Sequence, residues 1–564
     1  MRVTHQQHQR EEEAWREVGH TNVRPVTARL LAFGFLAAIF AVPIHQLGAE
    51  WRAARRAELP FRPQILELFR RSPEILSPVR DDGLRLSSVV AANRIFLREI
   101  KNFEDRLDDE SLLGRTVRPR VQEWFSGWPG VGNEKAYIGR DGWLFYRPAF
   151  DYLTGPGFLE PRRLARRIAT GDEWQPAPRP DPRPAIIDFH RQLGERGIDL
   201  IVMPVPVKLS IHPEKFTARY AGRESERVLQ NVSYREFLAD LAAAGVDVFD
   251  PSELLAGRRP GPQFLAADTH WRPEAMEAAA EALAEMVAEK LGSGPGGERG
   301  GDLRRRPVEI SGRGDIALML DLPDDQTRFP PETVTTQQIL TGDGQFWRPE
   351  ETAGVLVLGD SFSNIYSLEA MGWGESAGMV EQLAYFLGRP VDRLVRNDRG
   401  ARATREMLAR ELARGNDRLA GKRVVVWQFA ARELAVGDWP AIPLELGAPP
   451  GVEFLVPEPG RTLTVTGTVR EVAPVPRPGT VPYRDHVTAV HLVDLPEDNQ
   501  AVVYMSGMED NRWTRAARLR PGEEITVRLR AWDEVADRYG AINRSELDDF
   551  ELQLQEPCWG EWVN

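Results

Sequence analysis

Two rhythms of apolar and polar positions alternate through the middle of the chain. Short, unbroken apolar runs occur in "GIDLIVMPVPV" (197–207), "GVDVFDP" (245–251), "GVLVLGDSFSN" (354–364) and "KRVVVWQF" (422–429). Their length and continuous hydrophobicity predict parallel strands covered on both faces. Between them, "AIIDFHRQLGERG" (185–197), "YREFLADLAAAG" (234–245) and "ATREMLARELARG" (403–415) space their apolar residues for one helix face, and each closes on glycine. Strands alternating with helices predict an α/β domain built on a mainly parallel sheet flanked by helices.

The rhythm differs on either side. "LRLSSVVAANRIFLREIKNFEDRL" (84–107) has helical spacing among many charges, and "AYIGRDGWLFYRP" (136–148) turns to aromatic and β-prone residues around an Arg-Asp-Gly turn. "GDEWQPAPRPDPRPA" (171–185) and "GSGPGGERGGD" (292–302) read as exposed loops. After about residue 450, "RTLTVTGTVREV", "HVTAVHLVDL", "AVVYMSGM", "EITVRLRAW" and "FELQLQ" alternate with period two and predict a small C-terminal β domain, barrel or sandwich, with an OB-like barrel as one candidate. The expected organisation is a tail and anchor over 1–50, a helical stalk or cover over 51–130, the α/β domain over 131–445 and the β domain over 455–564.

Leu30–Ala49 carries no formal charge and its centre, "LLAFGFLAAIFAV", is strongly apolar. That length spans a bilayer. A cleaved signal peptide is the competing reading, but the preceding segment is long and "QLGAEW" lacks an Ala-x-Ala site, which favours a retained N-terminal membrane helix. Arginines flank both ends, so orientation is not set by charge.

Composition narrows the function classes. Apolar residues at 42% and charged residues at 28% fit a folding chain, and a net charge of −12 argues against a nucleic-acid partner. With Cys558 the single cysteine, neither a disulfide framework nor a cysteine-based zinc site is possible within the chain, and neither HExxH nor a paired-histidine motif occurs.

Chemistry is concentrated at two places. "GVLVLGDS" delivers Ser361 at the carboxyl end of a strand, the edge where parallel sheets bind ligands, with a helix start behind it to supply an oxyanion donor. The alternative is that Asp360 and Ser361 only cap a helix. In "AADTHWRPEA", Pro273 suits the first position of a helix, which leaves Asp268 and His270 before it, where side chains two apart in extended backbone point to one side. An acid beside an imidazole is what a serine nucleophile needs, although the same pair also suits an ordinary helix entrance.

The set "DTHW", "GDSFS", "GRDGWLFY", "PVPVKLSIHP" and "RGDIALML", covering roughly 130–440, resembles the alginate O-acetyltransferase family typified by AlgJ and AlgX. Like those proteins, and unlike ordinary SGNH hydrolases, this chain places the Asp-x-His pair before the serine. The resemblance implies an SGNH-hydrolase-like fold with Ser361 as nucleophile, His270 as general base and acid, and Asp268 orienting it. By the same route Asn397 and Gly400 in "RNDRGARAT" join Ser361 as oxyanion candidates, and Trp271 and Arg432 are substrate-binding candidates. "WQFAAR" departs from the "WEFPER" common among relatives. Four tryptophans, Trp513, Trp532, Trp559 and Trp562, offer stacking faces if the β domain binds carbohydrate, or else fill its core.

The implied activity is transfer of acetyl groups to hydroxyls of an exopolysaccharide, without a cofactor. The implied partner is a membrane-bound O-acyltransferase that supplies acetyl groups. The anchor would then be a single pass in the inner membrane, with the catalytic domain in the periplasm or outside. A carbohydrate acetylesterase using water as acceptor, and a polysaccharide-binding scaffold with a vestigial site, remain as alternatives.

Overall fold

The computed structural model describes residues 25–56, 72–85 with scattered positions between 63 and 103, and 112–563 apart from 172–176, 223–227, 259–260, 293–301, 398–399, 448–453, 479–480, 482 and 497–498. It divides into two units, residues 1–118 and 119–564.

In the first unit, helix Pro25–Arg56 contains a stretch, Pro25–Arg52, long and apolar enough to cross a membrane. Phe33, Phe35 and Leu36 are exposed along it, as a helix without a protein partner leaves them. Short helices Ser72–Ile75 and Ser77–Asp82 follow. The helical reading of 84–107 falls largely outside the described residues.

Helix Leu112–Gly127 runs across the boundary into the second unit, where a hairpin of β1 (Ala136–Ile138) and β2 (Leu144–Tyr146) follows. Asp141 and Gly142 both take positive φ, 55° and 80°, in the turn that joins them. This is the backbone that matches strand twist in a two-residue hairpin turn, and it explains the Arg-Asp-Gly sequence.

The central sheet comprises β3 (Asp199–Val205) and β4 (Asp247–Val248), then, after a separate antiparallel pair of β5 (Arg304–Gly312) and β6 (Glu332–Leu340), β7 (Val355–Gly359), β8 (Asp392–Val395) and β9 (Val424–Ala430). Its order is β4-β3-β9-β7-β8 and every pairing is parallel. The period of two divides its side chains between two cores. Ile201, Met203, Val357 and Val426 enter one, whereas Leu200, Val202, Leu358 and Trp427 enter the other. Both faces are therefore covered, which is why these strands read as solid apolar runs. β8, "DRLV", escaped the pattern because it is a short edge strand in which two charged residues precede only two apolar ones.

Helices Pro182–Gly194, Tyr234–Ala243 and Arg402–Ala413 lie where the spacing predicts. The Pro-rich stretch 171–185 was expected to be exposed loop throughout, but Pro182 is buried at a helix start, capped by the Asp181 carboxylate accepting from Arg183 N–H at 3.0 Å.

The C-terminal strands β10 (Leu463–Val472), β11 (His486–Val493), β12 (Ala501–Glu509), β13 (Arg512–Trp513), β14 (Glu524–Ala531), β15 (Asn543–Ser545) and β16 (Cys558–Trp562) form one sheet. β10, β11, β12, β16 and β14 close on themselves as a five-stranded barrel filled by Val469, Leu492, Val503 and Leu529. "FELQLQ" was expected to be its last strand but contains helix Phe550–Gln553. The closing strand is "CWGEW", whose glycine and cysteine hid it. Gly560 is required there, since a Cβ would come 2.4 Å from Val503 Cγ1. Trp559 is buried, while Trp532 and Trp562 pack half-buried against barrel cores, so these tryptophans mainly fill the domain. The barrel seats on the α/β domain through Tyr483 and Met508, which belong to the same apolar core as β3 and β7.

Candidate functional site

Chain order explains where the site forms. From β3 the sheet builds outward to β4, from β7 it builds outward to β8, and β9 then fills the gap between β3 and β7. The carboxyl ends of these three central strands surround the switch point at which such sheets bind ligands.

Ser361 stands at the end of β7, first in the short helix Ser361–Asn364. Asp360 fixes this turn. Its carboxylate accepts from Phe362 N–H at 2.8 Å, Gln428 Nε2 at 2.7 Å and Ala430 N–H at 2.7 Å. Gln428 Oε1 in turn accepts from Asp360 N–H at 3.0 Å and the Ser363 hydroxyl at 2.6 Å. Asp360 is thus the helix cap, and it bolts the serine turn to β9. Phe362 N–H, not Ser361 N–H, is the donor that it takes.

Asp268 and His270 sit on a tight loop between Phe264 and Trp271, which form an antiparallel bridge, with Leu265 N–H donating to His270 O at 3.1 Å. Three sides brace it. Ala266 O accepts from Leu144 N–H at 2.9 Å and Lys208 Nζ at 3.2 Å, Ala266 N–H donates to Glu332 Oε2 at 2.8 Å, and Ala267 O accepts from Ala317 N–H at 3.2 Å. Helix Pro273–Lys290 starts at Pro273, as the sequence predicts.

The loop brings its acid and imidazole to the serine. His270 Nε2 lies 2.8 Å from Ser361 Oγ, and His270 Nδ1 lies 2.6 Å from Asp268 Oδ1. All three residues are at most 3% exposed, so their mutual polarity acts with little screening by water. Asp268 also accepts from His270 N–H, Asp315 N–H and Trp373 Nε1, each at 2.9 Å. Burial alone would push this carboxyl up, but the His270 charge and these donors hold it well below the usual carboxylate range. Burial would likewise lower His270. Asp268 outweighs it through charge and hydrogen bond, Asp315 adds to this, Arg432 opposes it, and the net direction is upward.

Other candidates land differently. Asn397 Nδ2 faces Met371 Sδ at 3.3 Å, its Oδ1 accepts from Asn364 Nδ2 at 3.1 Å, and its N–H donates to Asn543 Oδ1 of the barrel at 3.0 Å. These contacts commit it to the interdomain seam, and no hydrogen bond ties it to Ser361. Gly400 takes φ of 64° and packs on Glu433, where a Cβ would lie 2.1 Å from Oε2. Its glycine answers to close packing and backbone conformation. Trp271, expected to stack on sugar, is fully buried, donates to Phe362 O at 3.1 Å and presents no face to a ligand. Arg432 borders a cavity of about 10 Å3, room for about one water, beside Thr269 and Phe362. Its guanidinium lies 5.3 Å from the Tyr146 ring and 6.0 Å from the Phe362 ring, and Nη1 has no hydrogen-bond partner.

Sequence reasoning missed Trp373, which no local pattern marks. Lys208, Asp315 and Gln428 lie inside the motifs "PVPVKLSIHP", "RGDIALML" and "WQFAAR", where nothing local marks their contacts with the site. Lys208 is buried, donates to Leu144 O at 2.9 Å as well as to Ala266 O, and is lowered to about 8 by burial despite nearby carboxylates.

A parallel sheet that presents a serine on a Gly-Asp-Ser turn, met by a histidine and aspartate from upstream in the chain, defines an SGNH-hydrolase-like domain. Residues 136–431, just over half of the chain, match the family described as SGNH hydrolase-like domain, acetyltransferase AlgX, and the chain belongs to that family. "Probable alginate O-acetylase AlgJ" of Pseudomonas aeruginosa is 31% identical over 159 residues, 27% of this chain and 32% of that protein. The protein of the same name from Azotobacter vinelandii is 26% identical over 152 residues, 27% of this chain and 33% of that protein. The chain thus spans about a third of the length of these curated relatives. Among solved structures, the O-acetyltransferase domain of Pseudomonas putida AlgJ aligns at 21% identity and a TM-score of 0.39, over 54% of this chain and 93% of that one. Pseudomonas aeruginosa AlgX aligns at 15% and 0.37, over 70% and 91%.

Proposed function

We propose that this chain is an extracytoplasmic O-acetyltransferase that adds acetyl groups to hydroxyls of an exopolysaccharide of the alginate type through an acyl-enzyme on Ser361. The observation that carries the reading is the unbroken hydrogen-bonded run Ser361–His270–Asp268 in a chain of the AlgX family. His270 Nε2 takes the Ser361 proton as Oγ attacks the acetyl carbonyl, and Asp268 steadies the imidazolium that forms. Ser361 N–H, at a helix start, is the oxyanion donor on this reading. His270 returns the proton to the leaving group, then removes one from the attacking sugar hydroxyl and passes it to Ser361 Oγ as the Oγ–acetyl bond breaks and the sugar keeps the acetyl group. Arg432, cationic with an unpaired Nη1 at the adjoining pocket, suits a uronate carboxylate. No step calls for a cofactor.

The same reading gives helix Pro25–Arg56 the role of a single-pass inner-membrane anchor, with residues 131–445 as the catalytic domain in the periplasm and 455–564 as an appended β domain. A membrane-bound O-acyltransferase would supply the acetyl groups. Incubating the purified chain with an activated acetyl ester, with and without alginate oligosaccharides, tests the proposal. Acetylated oligosaccharide with wild type and none with Ser361→Ala is the expected result. Release of acetate alone would make the chain an esterase, turnover unchanged by Ser361→Ala would overturn the assignment of Ser361, and no turnover by wild type would leave only a scaffold.

A further inference from the structure

Two buried carboxyls, not one, converge on His270. Asp315 is 5% exposed, and its Oδ2 lies 3.8 Å from His270 Nδ1 on the side away from the serine-facing nitrogen. It is also laced to the Asp268–His270 loop in both directions: Thr269 N–H donates to Asp315 Oδ1 at 2.6 Å, and Asp315 N–H donates to Asp268 Oδ2 at 2.9 Å. Gly314 makes the approach possible, because a Cβ there would come 2.3 Å from Ala267 O, at a φ of 83°.

An acceptor for Thr269 N–H does not need a charge, since an asparagine amide oxygen would serve. A second carboxyl buried beside Asp268 is costly unless a nearby cation uses it. The cation that comes and goes at this point is the imidazolium.

Resting on the assignment of Ser361, His270 and Asp268 above, we propose that Asp315 is a positioning residue for the acyl transfer: it locks the Asp268–His270 loop to the short helix Asp315–Met319 and shares the charge of His270 when the imidazole takes the serine proton. The direction of its own titration agrees. Burial and the Asp268 charge raise Asp315 to about 6, while His270 pulls it back. The pair therefore responds to one proton as a unit. The other charged or titratable groups acting on Asp315, His270 and Asp268 include Lys208, Arg432, Tyr146, Tyr366 and Glu332, the last through Lys208.

The test follows His270 itself rather than turnover. The full chain in detergent micelles, labelled with 13C-histidine, is titrated by NMR, the His270 signal being assigned among the nine histidines by its loss in His270→Gln. Asp315→Asn keeps an acceptor for Thr269 and removes the charge. It is expected to raise the His270 acid dissociation constant about three- to tenfold, as loss of a nearby opposite charge does. In wild type, the His270 signal is expected to show a second inflection near pH 6 that Asp315→Ala removes. A single-step wild-type titration, or an Asp315→Asn constant equal to that of wild type, overturns the inference. Acetyl transfer is scored separately with Ser361→Ala, so loss of the transferase reading registers without a change in the His270 titration.

Discussion

Replacing Asp268 by asparagine removes one charge and converts one acceptor to a donor. Asp268 Oδ1 accepts from His270 Nδ1–H and N–H, and Oδ2 accepts from Asp315 N–H and Trp373 Nε1–H. An amide has one oxygen, so whichever way it is turned, two buried N–H groups lose their acceptor and face an NH2. At ~1–3 kcal/mol for each buried donor left unpaired, the loss of stability is ~2–6 kcal/mol. Catalysis suffers through a different route: without the carboxylate, His270 is no longer held in the tautomer that leaves Nε2 free, and the imidazolium is not stabilised. Comparable loss in a serine protease triad lowers kcat about 10^4-fold, and a fall of ~10^3–10^4-fold is expected here. Hydrolysis of a chromogenic acetyl ester reads the rate, and thermal melts show the temperature at which the variant is still folded. The acid limb of kcat/KM moves to lower pH in the variant, because Asp268 is the chief support of the raised His270. A folded Asp268→Asn protein with kcat/KM within about threefold of wild type would refute the reasoning, since the loss expected is orders larger.

Further outcomes follow from the surrounding contacts. Trp271→Phe leaves Phe362 O without its donor and is expected to cost ~1 kcal/mol by denaturant melt while leaving KM for oligosaccharide unchanged, because the ring meets no ligand. Gln428→Glu sets a second carboxylate against Asp360, so the folded variant retains a proton that the unfolded chain gives up. Its melting temperature should then fall relative to wild type as pH rises above about 5, whereas a parallel pH profile would contradict the Asp360–Gln428 arrangement. His270, raised in the fold, contributes stability that is present below about pH 6.5 and lost as pH climbs through its folded value, so His270→Gln should flatten that part of the stability profile. Asn543→Ala, which strips the Asn397 N–H of its acceptor across the barrel seam, is expected to lower stability by ~1–3 kcal/mol.

The sequence made the central sheet legible because β3, β7 and β9 are buried on both faces and carry almost only apolar residues there, the buried Gln428 of β9 being an exception. Short edge strand β8 and barrel strand β16 carry mixed residues and gave no such signal, and "FELQLQ" shows that three alternating pairs also satisfy one helical turn. At the site, local rules worked for residues on one segment. Pro273 marked the helix start and so put Asp268 and His270 in the loop before it. Residues that matter through contact across the chain were not readable: Trp373 reaches Asp268 from 105 positions away, and Asn397 is claimed by a barrel residue 146 positions away. Trp271 misled for a related reason, since an aromatic beside a reactive loop has the same sequence whether it faces solvent or the core.

The central claim is a covalent acetyl group on Ser361. Rapid quenching of the purified chain with an activated acetyl ester, followed by peptide mass spectrometry, tests it directly. One acetyl group is expected on the peptide bearing Ser361, accumulating without acceptor, discharged by added oligosaccharide, and absent from His270→Gln. Acetyl transfer to oligosaccharide at full rate with Ser361 never modified, or with Ser361→Ala still active, would contradict it.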